Sequence, residues 1–326
     1  MKLQHAIAAT VAAIATSITA PASAQAPAPY PSQPIKLIVG WTAGGATDLL
    51  ARNLAVQMGR ALDANVVVDN RPGAVGTIGH AEVSRAKPDG YTLILATNST
   101  YAIAPHLIKP LPYGPEALMP VSLVGVSPLI LTARPTLEVN GVKGLLEMAR
   151  QQPGRLNYSS GGNGSTSHLA SELFKDLSHS AITHIPYKGG GPATVAVAAG
   201  EVDIGFVDIG VALPLIRAGK LKALAVSGAA RSPLLPQVPT VEESGVPRFE
   251  SSTKFGLFAP AGTPAYAIDK LQEAVRTALK NEELKEKLRQ QGIEVVAGGP
   301  SELRRDMNEG LSKWGQLITE RKLSLN

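Results

Sequence analysis

Two glycine turns carry the residue types that could hold a ligand. Gly44-Gly45-Ala46-Thr47-Asp48 follows the apolar run 35–39, and Gly161-Gly162-Asn163-Gly164-Ser165-Thr166-Ser167 follows the run 156–160. Each opens a stretch with helical apolar spacing: Leu50, Leu54, Met58 and Leu62 after the first, Leu169, Leu173 and Leu177 after the second. A strand, a glycine turn and a helix N-terminus aim free backbone N–H groups and the positive end of a helix dipole at one point, which suits an anion. One such turn is a weak signal. Two of them, in a chain long enough for two lobes, predict an anionic group held between two helix ends.

Other candidates flank these turns, and each has an ordinary structural role beside the functional one. Trp41, Thr42 and Ala43 lead into the first turn, where the indole is either a pocket wall or interlobe packing. Thr47, Asp48, Ser165, Thr166 and Ser167 either touch the ligand or cap their helices, which Ser, Thr and Asp do well. Asn98 follows the third strand run, at the edge where open α/β sheets bind ligands, or it simply forms the turn. Asp208 ends a strand, where it accepts a hydrogen bond from a ligand amine or hydroxyl, or caps a helix over 210–217. His168 has no second histidine at metal spacing, so no metal site is expected. No Gly-x-Ser-x-Gly elbow supplies a serine nucleophile. Gly219-Lys220 lacks the rest of a Walker loop, and neither turn has the Gly-x-Gly-x-x-Gly form of a dinucleotide site. A binding protein without a cofactor is therefore expected rather than an enzyme, with a hydrolase or isomerase built on Asp208 and a cleft histidine as the competing reading.

The elements that must position these residues alternate. Strands are predicted at 35–39, 65–68, 91–96, 129–133, 156–160, 183–187, 202–207, 221–227 and 255–259, with helices at 49–61, 77–86, 144–151, 167–177 and 192–199 between them. Short buried strands alternating with helices predict an α/β fold of mostly parallel sheets covered on both faces. Two long amphipathic helices, 265–291 and 301–322, follow, with start signals at Thr263-Pro264 and Pro300-Ser301 and a stop at Gly292; they are expected to close the first lobe. The chain crosses between lobes twice, through the extended segment 121–134, interrupted at Ser127-Pro128, and through the proline-rich stretch 232–247. The expected division is lobe 1 over 30–126, lobe 2 over 127–247 and a return to lobe 1 over 248–326, with a cleft that allows hinge closure.

The N-terminus resembles a secretory signal over 1–24. Lys2 precedes an uncharged apolar stretch, and Ala22-Ser23-Ala24 is a small-x-small cleavage site. No later run reaches the length of a membrane span. The chain of 326 residues contains no cysteine, which excludes disulfides, thiolate metal sites and a cysteine nucleophile. Its formal net charge of +5 is compatible with an anionic ligand, but the basic residues are scattered and aromatics make up only 4%, so no nucleic-acid footprint is present.

With these residues in view, the chain resembles the periplasmic solute-binding receptors of the tripartite tricarboxylate transporter type, the Bug receptors. The likeness runs through Tyr30-Pro31-Ser32-Gln33-Pro34-Ile35, the first glycine turn, Asp69-Asn70-Arg71-Pro72-Gly73 and Lys87-Pro88-Asp89-Gly90-Tyr91. It continues through Pro153-Gly154-Arg155-Leu156-Asn157-Tyr158, Gly162-Asn163-Gly164 with Ser167-His168-Leu169-Ala170, and Pro186-Tyr187-Lys188-Gly189-Gly190. Leu235-Pro236-Gln237-Val238-Pro239 and Gly256-Leu257-Phe258-Ala259-Pro260 complete it. The resemblance implies a two-lobed Venus-flytrap receptor. It also implies a small carboxylate held in the cleft by backbone groups and bridging waters from the two turns. The implied setting is a periplasmic monomer that docks transiently on integral-membrane transporter subunits, or a sensor component of the same fold. Three departures lie where the variable end of a ligand would be recognised: Trp41 and its neighbours before the first turn, an acid displaced from 207 to Asp208, and Lys254 in place of an aromatic.

Overall fold

The computed structural model describes residues 30–114 and 116–324; the signal sequence expected over 1–24 lies outside the described residues. Three parallel strands, β1 (Ile35–Val39), β2 (Val66–Asn70) and β3 (Thr92–Thr97), lie in the order β2-β1-β3. They are linked by α1 (Ala46–Leu62) and α2 (Thr77–Ser84). In β1, Ile35, Leu37 and Val39 on one face and Ile38 on the other are fully buried, as in a central parallel strand, while Lys36 reaches out to pair with Asp69 and Glu82. A single π-helical turn, Ser99–Ile103, and the short α3 (Ala104–Leu107) follow β3.

The second half repeats the scheme. β5 (Asn157–Ser160), β6 (Thr183–Pro186) and β7 (Ile204–Asp208) are parallel in the order β7-β5-β6. The helices α4 (Gly141–Gln151), α5 (Thr166–Ser178), α6 (Gly190–Ala199) and α7 (Ile209–Arg217) belong to this part, with β8 (Lys222–Val226). The two halves have separate aliphatic and aromatic cores. One gathers Leu37, Leu54, Leu95, Leu257, Leu271 and Val275; the other gathers Leu131, Leu145, Tyr158, Phe174, Phe206 and Phe249.

One strand joins them. β4 (Leu118–Ala133) runs without a break through the predicted interruption at Ser127-Pro128. Its first part pairs antiparallel with β9 (Ser252–Pro260), and its last part pairs with β7 and β8. Pro128 sits at the hand-over: the β9 ladder ends at Pro128–Ser252 and the β7 ladder begins at Leu129–Asp208. A proline lacks the N–H a ladder needs, and here the next donor, Leu129 N–H, is taken by Ser227 Oγ at 2.7 Å. The proline therefore marks a change of partner, not the end of a strand.

The C-terminal part differs from expectation in two ways. The predicted helix 265–291 is two helices, α8 (Ala265–Leu279) and α9 (Glu282–Gln290), because Asn281 starts a new one; its side chain accepts from Leu284 N–H at 2.9 Å. An unpredicted strand, β10 (Glu294–Gly298), then pairs with β4. The last helix, α10 (Pro300–Glu320), packs Trp314, Leu317 and Ile318 with Phe258 and also with Leu169 of α5, so it touches both halves. Among the described residues no helix is long and apolar enough to cross a membrane.

Candidate ligand-binding site

The first glycine turn is built to leave donors free. Gly44 has φ +81, a left-handed conformation that favours glycine, and its N–H donates to Asp48 Oδ2 at 2.9 Å. Gly45 is the N-cap of α1, with φ −77 and ψ 168, and has no side chain to cap with. The N–H groups of Ala46, Thr47 and Asp48 consequently have no hydrogen-bond partner among the described residues. These are the orphan donors of a helix N-terminus. Asp48 itself does not face the cleft. Its carboxylate accepts from Gly44, Arg52 and Asn70 at 2.9–3.0 Å, and Asn70 also donates to the Trp41 carbonyl. Burial raises its pKa, yet the bonds from Arg52, Gly44 and Asn70 together hold it below the ordinary aspartate value. Asp48 closes the turn.

The second turn is wired differently. Ser165 caps α5 by accepting from His168 N–H, and Thr166 N–H donates to Ser99 Oγ at 3.0 Å. Gly161, Gly162 and Gly164 donate to Ser167 Oγ, Ser160 Oγ and His168 Nδ1 respectively, at 2.9–3.1 Å. Most of its donors are thus already engaged within the protein. Gly162, Asn163 and Gly164 are not on the cavity wall, whereas Gly161, Ser165, Thr166 and Ser167 are.

A cavity of about 250 Å³ lies between the two turns. Trp41, Thr42, Ala43, Gly44, Gly45, Ala46 and Thr47 form one side of it, with Thr97 at the end of β3 and Ser99 at the start of the π-helical turn. The indole Nε1–H of Trp41 donates to Thr97 Oγ1 at 3.2 Å, which fixes the ring as a wall. Asn98 points away. Its carboxamide donates to the Ser252 carbonyl and accepts from the Thr166 hydroxyl and Lys254 N–H, tying three segments together at the cleft base. Lys254 is turned outward as well, its ammonium paired with Asp306 of α10, while Thr253 and Phe255 face in.

Sequence reasoning missed a third wall. Gly189, Gly190, Gly191 and Pro192, at the start of α6, line the cavity opposite the first turn. Gly189 has φ +109 and caps α6 without a side chain, and Gly190 and Gly191 N–H have no partner among the described residues. Proline in the first turn of a helix removes no bond. The signal was in the sequence, as a glycine run and proline between a strand and an apolar helix. A Cβ placed on Gly189 would lie 3.8 Å from Thr42 Oγ1, so the two halves approach closely there.

Asp208 closes the far end. It is the N-cap residue of α7 but its side chain makes no capping bond, and it lines the cavity instead. Gly190 lets the carboxylate come close: a Cβ there would be 3.1 Å from Asp208 Oδ2. Burial pushes the carboxyl up to about 6. Leu129, Phe206, Val207, Val211 and Phe255 complete the lining. Among the described lining residues, Asp208 alone is ionisable. Behind the second turn, the rings of His168 and His184 stack at 4.2 Å, and His184 stacks on Tyr158 at 4.8 Å. No group of three potential metal ligands occurs among the described residues.

Two α/β halves joined through shared strands, with a cavity between helix N-termini, define a periplasmic-binding-protein fold. Solved structures agree. The periplasmic binding protein BugD superposes with a TM-score of 0.83 at 34% identity, over 90% of this chain and 99% of that one. The R. palustris protein Rpa4515, solved with adipate, gives 0.85 at 33% identity, over 90% and 99%. Residues 50–323 match the tripartite tricarboxylate transporter family receptor, and Protein BugT of Bordetella pertussis is 37% identical over 310 residues, 94% of each chain. The chain belongs to this receptor family.

Proposed function

We propose that the protein is an extracytoplasmic receptor that captures a small carboxylate between its two lobes and delivers it to a tripartite tricarboxylate-type transporter, without chemical change. The observation that carries this reading is the pair of unpartnered N–H groups of Ala46 and Thr47 at a cavity bounded by Gly190 and Gly191 on the other side. Oriented amides and bridging waters hold a carboxylate without a lysine or arginine. The adipate in the R. palustris relative supports the ligand class. In this reading the signal sequence directs export to the periplasm with cleavage near Ala24, and the mature monomer docks only transiently on the membrane subunits. Lobe 1 spans 30–126 and 248–326 and lobe 2 spans 127–247, so closure bends β4 and β9 near Pro128 and Ser252.

Calorimetry and thermal shift with mono- and dicarboxylates test it. A ligand bound only by the folded state raises stability by about 2.7 kcal/mol at a hundredfold excess over its Kd. The carboxylate should do so and its methyl ester should not. A shift seen only with neutral sugars or simple amines refutes the carboxylate reading, and consumption of the ligand over hours refutes binding without turnover.

A further inference from the structure

The cavity offers amides for one negative charge and then presents a negative charge of its own. An aspartate at an N-cap position ordinarily folds back onto the N–H groups of its helix. Asp208 does not: it makes no capping bond, has no hydrogen-bond partner among the described residues, and faces the cavity. Among the described residues no lysine, arginine or histidine lines the cavity to neutralise it, and burial alone raises its pKa to about 6. A buried carboxylate without a partner is destabilising, and a ligand that supplies the partner relieves that.

Resting on the carboxylate reading above, we infer that the solute is an amphoteric carboxylate, whose carboxylate sits on the α1 N-terminus and whose cationic nitrogen, at the other end, pairs with Asp208 beside the start of α6. A helix N-terminus is equivalent to about half a positive charge. The ends of α1, α6 and α7 together supply about one and a half positive charges, against one negative charge from Asp208, which lies beside Gly190 at the start of α6, and one from a ligand carboxylate. A dicarboxylate would add a second unbalanced charge beside Asp208. A hydroxyl would give that oxygen a hydrogen bond but leave its charge. A cationic nitrogen supplies both. The small cavity, below the usual range of about 300–1,000 Å³ for drug-sized ligands, keeps the two ends only a few bonds apart.

The test is calorimetry at pH 8 with the mature protein. The probes are 4-aminobutyrate, 5-aminovalerate and 4-trimethylammoniobutyrate, set against succinate, glutarate and butyrate. At least one amphoteric probe should bind tenfold or more tightly than the dicarboxylate of matching length. Asp208→Asn should remove that preference, lowering the amphoteric ligand's affinity at least tenfold and leaving the dicarboxylate's equal or higher. Lowering the pH from 8 to 5 should weaken the amphoteric ligand in the wild type, as Asp208 takes up its proton, and not in the variant. Tighter binding of succinate or glutarate, or an amphoteric ligand indifferent to Asp208→Asn, overturns the inference; if Gly45→Val still abolishes that binding, the carboxylate reading survives it. Failure of every carboxylate probe to bind folded protein overturns both.

Discussion

Acid should unfold this protein through histidines that bind no ligand. His168 is buried, and its Nδ1 accepts from Gly164 N–H at 3.1 Å, which requires the neutral imidazole with its proton on Nε2. Burial pushes His168 down to about 4, and burial together with the neighbouring His168 pushes His184 down to about 3. His80, packed on Tyr113 in the other half, is held at about 3 by burial alone. In the unfolded chain each titrates near 6.5. The unfolded state therefore takes up protons below that pH while the folded state does not, so the stability present above 6.5 is lost as pH falls toward the folded values. At pH 5 the loss is about 2 kcal/mol each for His168 and His80, and about 1 kcal/mol for the more solvent-open His184.

Asp208 has the opposite sign. Its folded pKa of about 6 lies above the 3.8 of the free group, so it destabilises the fold above pH 6 and the penalty is relieved as pH falls. Between pH 7.5 and 5 that relief is about 1 kcal/mol. The histidines win, and the net loss is about 4 kcal/mol, a large part of the 5–15 kcal/mol typical of a folded domain. Urea unfolding at pH 7.5 and 5.0 measures it, and NMR titration of the imidazole C–H signals assigns it. His168→Gln, whose amide oxygen can still accept from Gly164 N–H, should flatten the profile by about 2 kcal/mol. A wild-type stability unchanged between the two pH values would refute the reasoning, as would a variant with the full dependence.

The remaining predictions concern the cleft. Thr166→Val removes the hydroxyl that joins Ser99 and Asn98 across the cleft base; stability should fall by about 1–2 kcal/mol, and small-angle scattering should show a more open ligand-free state. Trp41→Ala should cut ligand affinity at least tenfold in calorimetry, whereas Trp41→Phe keeps the apolar wall, loses only the bond to Thr97 and should stay within tenfold.

The elements that position the cleft were legible wherever local pattern decides structure. The strand at 35–39 falls where its apolar run ends at glycine, and α1 and α5 begin within three residues of expectation because Gly45 and Ser165 mark their caps. Partner exchange was not legible. A proline ends most strands, and only the neighbouring strands show that β4 passes from one ladder to another at Pro128. The break at Asn281 was a cap signal outweighed by the apolar periodicity running through it. Side-chain direction set the limit at the site itself. Asp48 and Asn98 stand beside cavity residues in the chain but turn to Arg52 and Asn70 in one case, and to Ser252 and Thr166 in the other. Asp208 was a capping residue or a ligand partner on sequence grounds, and its missing capping bond sets the first of these aside.

The identity of the N-cap residue explains why the helix ends around the cavity are not equivalent. α5 begins with Ser165, whose hydroxyl takes up His168 N–H, so that end has little left to offer. α1 and α6 begin with Gly45 and Gly189, which have nothing to cap with, and they face each other across the cleft. A carboxylate on α1 would act as its missing cap, and a ligand reaching from there across to the start of α6 would draw the two halves together. Supplying the cap in the chain should then compete with the ligand. Gly45→Ser is the clean substitution, because the site has N-cap geometry and a Cβ would meet only the Thr42 carbonyl oxygen at an ordinary 3.5 Å. The new hydroxyl should accept from the N–H of Thr47 or Asp48, raising the stability of the ligand-free protein by a few tenths of a kcal/mol. The same bond occupies a donor the ligand needs, so affinity should fall roughly five- to tenfold, at 1.4 kcal/mol for each factor of ten. Thermal unfolding without ligand and calorimetry with it measure the two changes on one sample. If Gly45→Ser binds the ligand as well as the wild type does, the free amides of α1 are not what holds the carboxylate.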